Sequence, residues 1–368
     1  VTGVRVLVVL VLLLGLTGCV SGNPGTTGGA TSAQATNAEA PAQDSQAPTV
    51  VDTIAEGLET PWGLAFLPDT TAIVTERDTR RVLAVRDGRT TVVGTIDPAA
   101  PRGEAGLLGV AVSPTFDTDR FVYFYFTTST DNRVVRTTLH DGGLGALDVI
   151  LDGIPAGSIH DGGRLAFGPD GYLYVSTGEA GDRDLAQEPD SLGGKILRIT
   201  TDGRPAPGNP TPTSPVWSLG HRNVQGLAFD DHGTLWASEF GSSRSDELNR
   251  IQPGGNYGWP ATEGVGGREP YTDPQLTWGV SEASPSGLAY AQGRLWMAAL
   301  RGQRLWRIDV TTGTAAEPRD FFVGEYGRMR TVAFAPDGRL WVTTSNRDGR
   351  GSPGIGDDRI LAVTVGGR

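Results

Sequence analysis

Residues 163–178 read GRLAFGPDGYLYVSTG: a short apolar strand, a Pro-Asp-Gly turn, and a second strand of alternating character. Asp-Gly supplies the positive φ that a tight hairpin needs, so the stretch by itself predicts a β-hairpin. The same pattern returns as WGLAFLPDTTAIVTER (62–77), LGVAVSPTFDTDRFVYFYF (108–126), QGLAFDDHGTLWASEF (225–240), SGLAYAQGRLWMAAL (286–300) and RTVAFAPDGRLWVTTS (330–345). A third strand follows most copies: RRVLAV, GKILRIT, DELNRI, QRLWRID and DRILAV. The aligned alanines (Ala65, Ala111, Ala166, Ala228, Ala289 and Ala333) lie 44 to 62 residues apart. That period, with about four strands per unit, is the signature of a propeller blade. The sequence therefore predicts an all-β fold, a six-bladed β-propeller. The segment TVVDTIAEGL (49–58) has no blade of its own and is expected to add the outer strand of the sixth, closing the ring and covering an edge. A β-solenoid would need shorter, more regular repeats. The tryptophans of GTLWAS, GRLWMA and GRLWVT recur at one blade position and are expected in the core.

The chain has 368 residues, 53 of them glycine. Its length alone would suit two or three domains, but all-β proteins run longer as one, and no linker interrupts the repeats. A net charge of −11 argues against nucleic-acid binding, which needs a basic surface, while leaving room for a local basic pocket. Near the N-terminus, Arg5 precedes VLVVLVLLLGL, too short for a comfortable membrane span. The run ends in LTGC, a small residue before cysteine, the pattern at which bacterial lipoprotein signals are cleaved. Residues 1–18 are thus expected to be a signal peptide and Cys19, the only cysteine, to carry lipid. Residues 19–48 are small, polar and low in complexity, a flexible tether, and 49–368 form the propeller. The expected location is extracytoplasmic, lipid-anchored to a bacterial cell membrane; a plain secretory signal is the alternative. With no cysteine in the globular part, stability rests on core packing.

Propeller function usually sits at the central channel, at the loops entering the innermost strands. His160, one of four histidines, stands four residues before RLAF in the third repeat. The fourth places His221, Arg222, Asn223 and Gln225 in that slot, the second Glu104, and the sixth Arg328 and Arg330. The two arginines alternate about Met329, so both face one side. Several repeats thus load one axis with polar groups, which reads as an anion pocket containing a base. Arginine forks suit carboxylates, His160 is the neutral-pH base, and Glu179 at the end of the next strand is the group to orient it. His221 is expected to buttress the Arg222 loop, and His140 and His232 to lie in exposed turns. No zinc-protease pattern, phosphate-binding glycine loop or nucleophile elbow is present.

The strings HDGGRLAFGPDGYLYVSTGE, GHRNVQGLAF, SEFGSSRSDELNRIQPGGNYGWP and GRMRTVAFAPDGRLWV resemble the soluble pyrroloquinoline quinone (PQQ)-dependent sugar dehydrogenases, most closely their compact aldose sugar dehydrogenase branch. The resemblance covers nearly all of the chain from about residue 50. It implies oxidation of aldose sugars at the anomeric carbon to lactones. His160 would take the hydroxyl proton while hydride passes to the quinone, and Arg222 would stabilise charge on the quinone oxygen. It further implies Glu104, Asn223, Arg301, Arg328 and Arg330 at the cofactor, and the Gly241 and Ser242 carbonyls on a calcium ion (Ca2+). Glu247 and the Tyr257 carbonyl match a second, structural calcium site. Four positions depart from the glucose-dehydrogenase pattern: Glu104 for glutamine, Glu179 for aspartate, Ser242 for proline and Arg301 for lysine. Glu104 bears most on cofactor affinity, since it sets a negative charge near an anionic cofactor. The partners expected are aldose sugars and an electron acceptor that the sequence does not identify, with the chain a monomer. The rival readings are a calcium-dependent lactonase on the same architecture and a non-enzymatic ligand-binding propeller.

Overall fold

Each repeat folds into one antiparallel sheet, and among the described residues the six sheets are the six blades of a β-propeller. The computed structural model describes residues 47–366 apart from residue 142. The expected signal peptide, Cys19 and the tether up to residue 46 lie outside the described residues. Numbering the blades in chain order, their inner strands are Pro61–Phe66, Leu107–Val112, Leu165–Phe167, Val224–Phe229, Pro285–Ala291 and Met329–Phe334. All six aligned alanines fall on them.

The hairpin after each inner strand obeys one rule in most blades. An aspartate oxygen accepts the backbone N–H two residues on, at 2.9–3.2 Å from Asp69, Asp119, Asp170, Asp230 and Asp337. Such Asx turns are why aspartate recurs there. Blade 2 departs from the tight Pro-Asp-Gly turn by inserting a helical turn, Phe116–Asp119.

At three interfaces neighbouring blades pack through the aromatic residue after the aligned alanine. Phe167 meets Tyr123 of blade 2 edge-to-face at 5.2 Å, Phe229 meets Tyr174 of blade 3 at 5.1 Å, and Phe66 meets Trp341 of blade 6 at 5.1 Å. Each such pair contributes roughly 0.5–1.5 kcal/mol beyond its area burial. Trp236, Trp296 and Trp341 are buried, as the repeat predicts. Val50–Ala55 pairs antiparallel with Ile360–Val363, so the first described strand completes blade 6 and the ring closes as expected.

Two residues before the aligned alanine, four blades carry glycine. A Cβ on Gly109 would lie 2.1 Å from the Gly163 carbonyl, and one on Gly226 2.3 Å from that of Ser286. The inner strands approach that closely around the channel. Blades 3 and 6 carry Arg164 and Thr331 instead. Arg164 Nη2 donates to Thr331 Oγ1 at 3.2 Å, Nε donates to the Gln225 carbonyl at 2.8 Å, and the guanidinium lies 4.3 Å from the Trp62 ring. A side chain from blade 3 thus spans to blade 6.

Candidate functional site

The loops before the inner strands and those after the second strands meet at one end of the channel. They enclose a cavity of about 550 Å³ lined by Glu104, His160, Arg222, Arg301, Arg328 and Arg330, all expected there, and by Arg77, Asp348 and Arg350. Six arginines face two carboxylates, so the cavity is cationic within an acidic protein.

His160 is fixed from three directions. Its Nδ1 lies 2.7 Å from Glu179 Oε2, its N–H donates to Glu104 Oε2 at 3.1 Å, and its carbonyl accepts the Ala180 N–H at 3.0 Å. A carboxylate only accepts, so Nδ1 carries the proton and Nε2 remains for the cavity. Gly181 N–H holds the same Glu179 oxygen at 2.9 Å. The longer reach of Glu179 therefore does not loosen the pair. The sharp turn is not made by the two following glycines alone: His160 itself adopts φ +57°, with Gly162 and Gly163 at +62° and +102°. A left-handed histidine costs about 1–2 kcal/mol, offset by the bonds just named.

Arg222 Nη1 donates to the Gly241 carbonyl at 2.7 Å, and its guanidinium lies 5.4 Å from the Trp259 ring. Its Nε is buried without a partner, as is Asn223 Nδ2. Asn223 sits just beneath the cavity surface, its Oδ1 accepting the Gly162 N–H at 3.0 Å. Arg328 and Arg330 do face one side: Asp348 Oδ2 lies 2.9 and 3.7 Å from them. Burial would raise the Asp348 pKa, yet Arg330 and Arg328 hold it below the usual carboxylate range. Burial lowers Arg330 to about 9, against the attraction of Asp348. Arg164, below the cavity, is also lowered to about 9 by burial and by Arg330. Arg301 lies exposed on the cavity wall.

Glu104 is not a bare charge. Arg350 Nη1 meets it at 2.6 Å, and against burial this pairing and the His160 N–H hold its pKa down. Arg350 thus pairs the negative charge that Glu104 brings to the cavity. Asp348, Arg350, Arg77 and Arg164 were not singled out by the sequence reading. Arg164 occupies the glycine slot of the repeat and could have been found there; Asp348 and Arg350 sit in a loop outside the repeat.

His221 buttresses as expected. Its Nδ1 meets Glu239 Oε2 at 2.8 Å, Nε2 meets Ser218 Oγ at 2.9 Å, and its ring stacks 4.8 Å from Tyr257. Glu239 also accepts the Arg222 N–H. His140 and His232 are exposed. Glu247 faces Glu239 across neighbouring strands; burial and that charge push it up to about 8. Asn249 Nδ2 donates to Glu247 Oε2 at 3.1 Å, while its buried Oδ1 has no partner. Tyr257 is buried and takes part here through its ring and N–H. Among the described residues no group of three or more His, Cys, Asp or Glu is placed to hold a metal. Any ion at residues 241–242 would depend on backbone oxygens.

A family model described as Glucose / Sorbosone dehydrogenase matches residues 58–355. The PQQ-bound aldose sugar dehydrogenase of Streptomyces coelicolor is 54% identical with a TM-score of 0.85, over 86% of this chain and 98% of that one. The aldose sugar dehydrogenase YliI of Escherichia coli is 30% identical, over 81% of this chain and 91% of its own length. Quinoprotein glucose dehydrogenase B of Acinetobacter calcoaceticus is 32% identical, over 57% of this chain and 52% of its own.

Proposed function

The chain belongs to the glucose/sorbosone dehydrogenase family, and from that premise we propose that it is an oxidoreductase that converts aldose sugars to lactones at the anomeric carbon, using PQQ and calcium. The observation that carries the reading is a cationic cavity with the His160–Glu179 pair in its wall. Arginine forks match the carboxylates of an acidic quinone, and the unpartnered Arg222 Nε and Asn223 Nδ2 are donors awaiting an acceptor. When bound, PQQ supplies the two-electron acceptor for the hydride leaving the sugar.

The protein's part is proton handling and charge. Glu179 holds the imidazole with Nε2 basic, so Nε2 takes the proton of the anomeric hydroxyl as hydride departs from carbon. Arg222 would set positive charge where negative charge develops. Arg328, Arg330 and Arg301 grip carboxylates, and Asp348 keeps the first two aligned.

For calcium, the Gly241 carbonyl is already engaged by a cation, the Arg222 guanidinium, and with the Ser242 carbonyl offers hard oxygen donors. Lewis acidity there would polarise the quinone. Buried Glu247, with the Tyr257 carbonyl, is assigned a second, structural calcium, which would compensate the facing carboxylates. The further assignments are a cleaved signal peptide over 1–18, lipid on Cys19 and a flexible tether to residue 48. With them go an extracytoplasmic membrane-anchored location, a monomeric chain and electrons passed to a separate acceptor. Mass spectrometry of the membrane fraction should find a diacylglyceryl-modified Cys19.

The test of the activity is reconstitution of apo-protein with PQQ and calcium, followed by dye reduction across a sugar panel. Dye reduction with aldoses that depends on both additions is expected. PQQ binding without dye reduction by any aldose would overturn the assignment.

A further inference from the structure

Residues 241–245 are wrapped around a single carboxylate. The N–H groups of Ser242, Ser243, Arg244 and Ser245 donate to Glu263 Oε1 at 2.8, 3.0, 2.9 and 3.1 Å. Arg244 Nη2 adds a bond to the Glu263 carbonyl at 3.1 Å. Gly241 N–H turns instead to Asp246 Oδ1 at 2.9 Å. A Cβ on residue 241 would stand 1.9 Å from the Ser245 carbonyl and 2.8 Å from Glu263 Oε1, so the wrap closes only on glycine. Burial would raise the Glu263 pKa, but the four N–H bonds outweigh it and hold the group below the usual range.

In a planar trans peptide the carbonyl of one residue points opposite to the N–H of the next. With the N–H groups of Ser242 and Ser243 aimed at Glu263, the carbonyls of Gly241 and Ser242 are aimed away from it. The Gly241 carbonyl accordingly meets Arg222, a cavity-lining residue. We propose that Glu263 is the positioning residue that fixes the Gly241 and Ser242 carbonyls on the side away from its own carboxylate, the side on which Arg222 meets Gly241, for a hard divalent cation, a role that rests on the calcium assignment above. Ser242 gains meaning here. Proline, which the family resemblance leads one to expect, has no N–H; serine supplies one of the four donors. Hydrogen bonding to Glu263 does in this chain what a proline ring does by restricting φ.

The experiment is calorimetric titration of the full chain with PQQ, in calcium and in chelator. Calcium is expected to raise wild-type PQQ affinity by linkage. Glu263→Ala should reduce that enhancement by roughly 10–100-fold, the range for loss of a group that orients metal ligands. Its affinity in chelator, set by the arginines, should match wild type, which shows an intact cavity. Glu263→Gln keeps an acceptor oxygen and should recover most of the enhancement. Equal enhancement in wild type and Glu263→Ala overturns the role of Glu263 while the calcium assignment stands. No enhancement in wild type removes the calcium assignment and this role with it. An equal fall of Glu263→Ala affinity in calcium and in chelator also overturns it, because the residue would then support the cavity as a whole.

Discussion

Blades 3 and 4 each place a histidine before the inner strand and pair its Nδ1 with a glutamate from the end of the second, at 2.7 and 2.8 Å. The two pairs make the same hydrogen bond in consecutive blades, although His160 stands six residues before its aligned alanine and His221 seven. What differs is the other nitrogen. In blade 4 Nε2 is occupied by Ser218 Oγ, the ring is covered by Tyr257, and the side chain is fully buried. In blade 3 Nε2 is left for the cavity and the side chain is 13% exposed. The following residue differs too: Arg222 turns to the cavity, whereas Asp161 turns into the protein, 2% exposed. A repeat supplies a geometry, and its surroundings decide whether that geometry does chemistry or holds a loop.

The largest effect should come from deleting the two histidines in turn. His160→Ala is expected to cut turnover by about 10²–10⁴-fold at saturating PQQ, the usual range for a lost general base. His221→Ala should deprive buried Glu239 of a hydrogen bond and cost about 1.5–3 kcal/mol of folding stability, read by urea unfolding. Near-normal turnover in His160→Ala, or a turnover loss without a stability loss in His221→Ala, would erase the distinction.

Replacing Arg328 and Arg330 together with glutamine separates the base from the cofactor grip. Each charge-assisted bond contributes about 1.5–3 kcal/mol, so PQQ affinity should fall by roughly 100-fold or more. His160→Ala should leave that affinity near wild type. If one titration gives both variants the same affinity, base and grip are a single unit.

The smallest effect concerns the residues beside the histidines. Burial, against hydrogen bonds from Gly157 and Asn132, raises the Asp161 carboxyl from 3.8 to about 6, and its Oδ2 has no partner. Between those values the folded chain binds more protons than the unfolded one, so this group's stability contribution declines as pH rises from about 4 to about 6. At 1.36 kcal/mol per unit the decline is at most about 3 kcal/mol. Asp161→Asn should flatten that part of the pH–stability curve. Parallel curves for the two proteins would mean that Asp161 is no more shielded than an ordinary surface carboxylate.

The blades were legible because most copies of the repeat reuse the same residues for the same jobs: alanine on every inner strand, an aromatic residue across three of the blade interfaces, aspartate in five of the turns. His160, Arg222, Arg328 and Arg330 were legible because each stands three to six residues ahead of that alanine, where the chain enters the inner strand. Arg350 was not, since it meets Glu104 across 246 residues and its loop follows no repeat. Glu263 was hidden for a like reason. An acid among glycines in a long excursion resembles any solvated loop residue until four backbone N–H groups are found to converge on it. The left-handed backbone of His160 was likewise invisible, because positive φ is the habit of glycine and two glycines follow it in the sequence.

The seam between Val50–Ala55 and Ile360–Val363 sets the order of events when the chain is made. Thr49 and Thr364 hydrogen-bond across a separation of 315 residues. Five blades are built from contiguous sequence and can pair as each segment emerges, but the sixth waits for Ile360–Val363. Until then blade 6 is incomplete and the first strand has an unpaired edge. Closing the ring therefore needs a contact across 315 residues, the slow kind of contact in folding. A circular permutant that opens the chain in the turn between Phe167 and Leu173 of blade 3 would move that wait to blade 3.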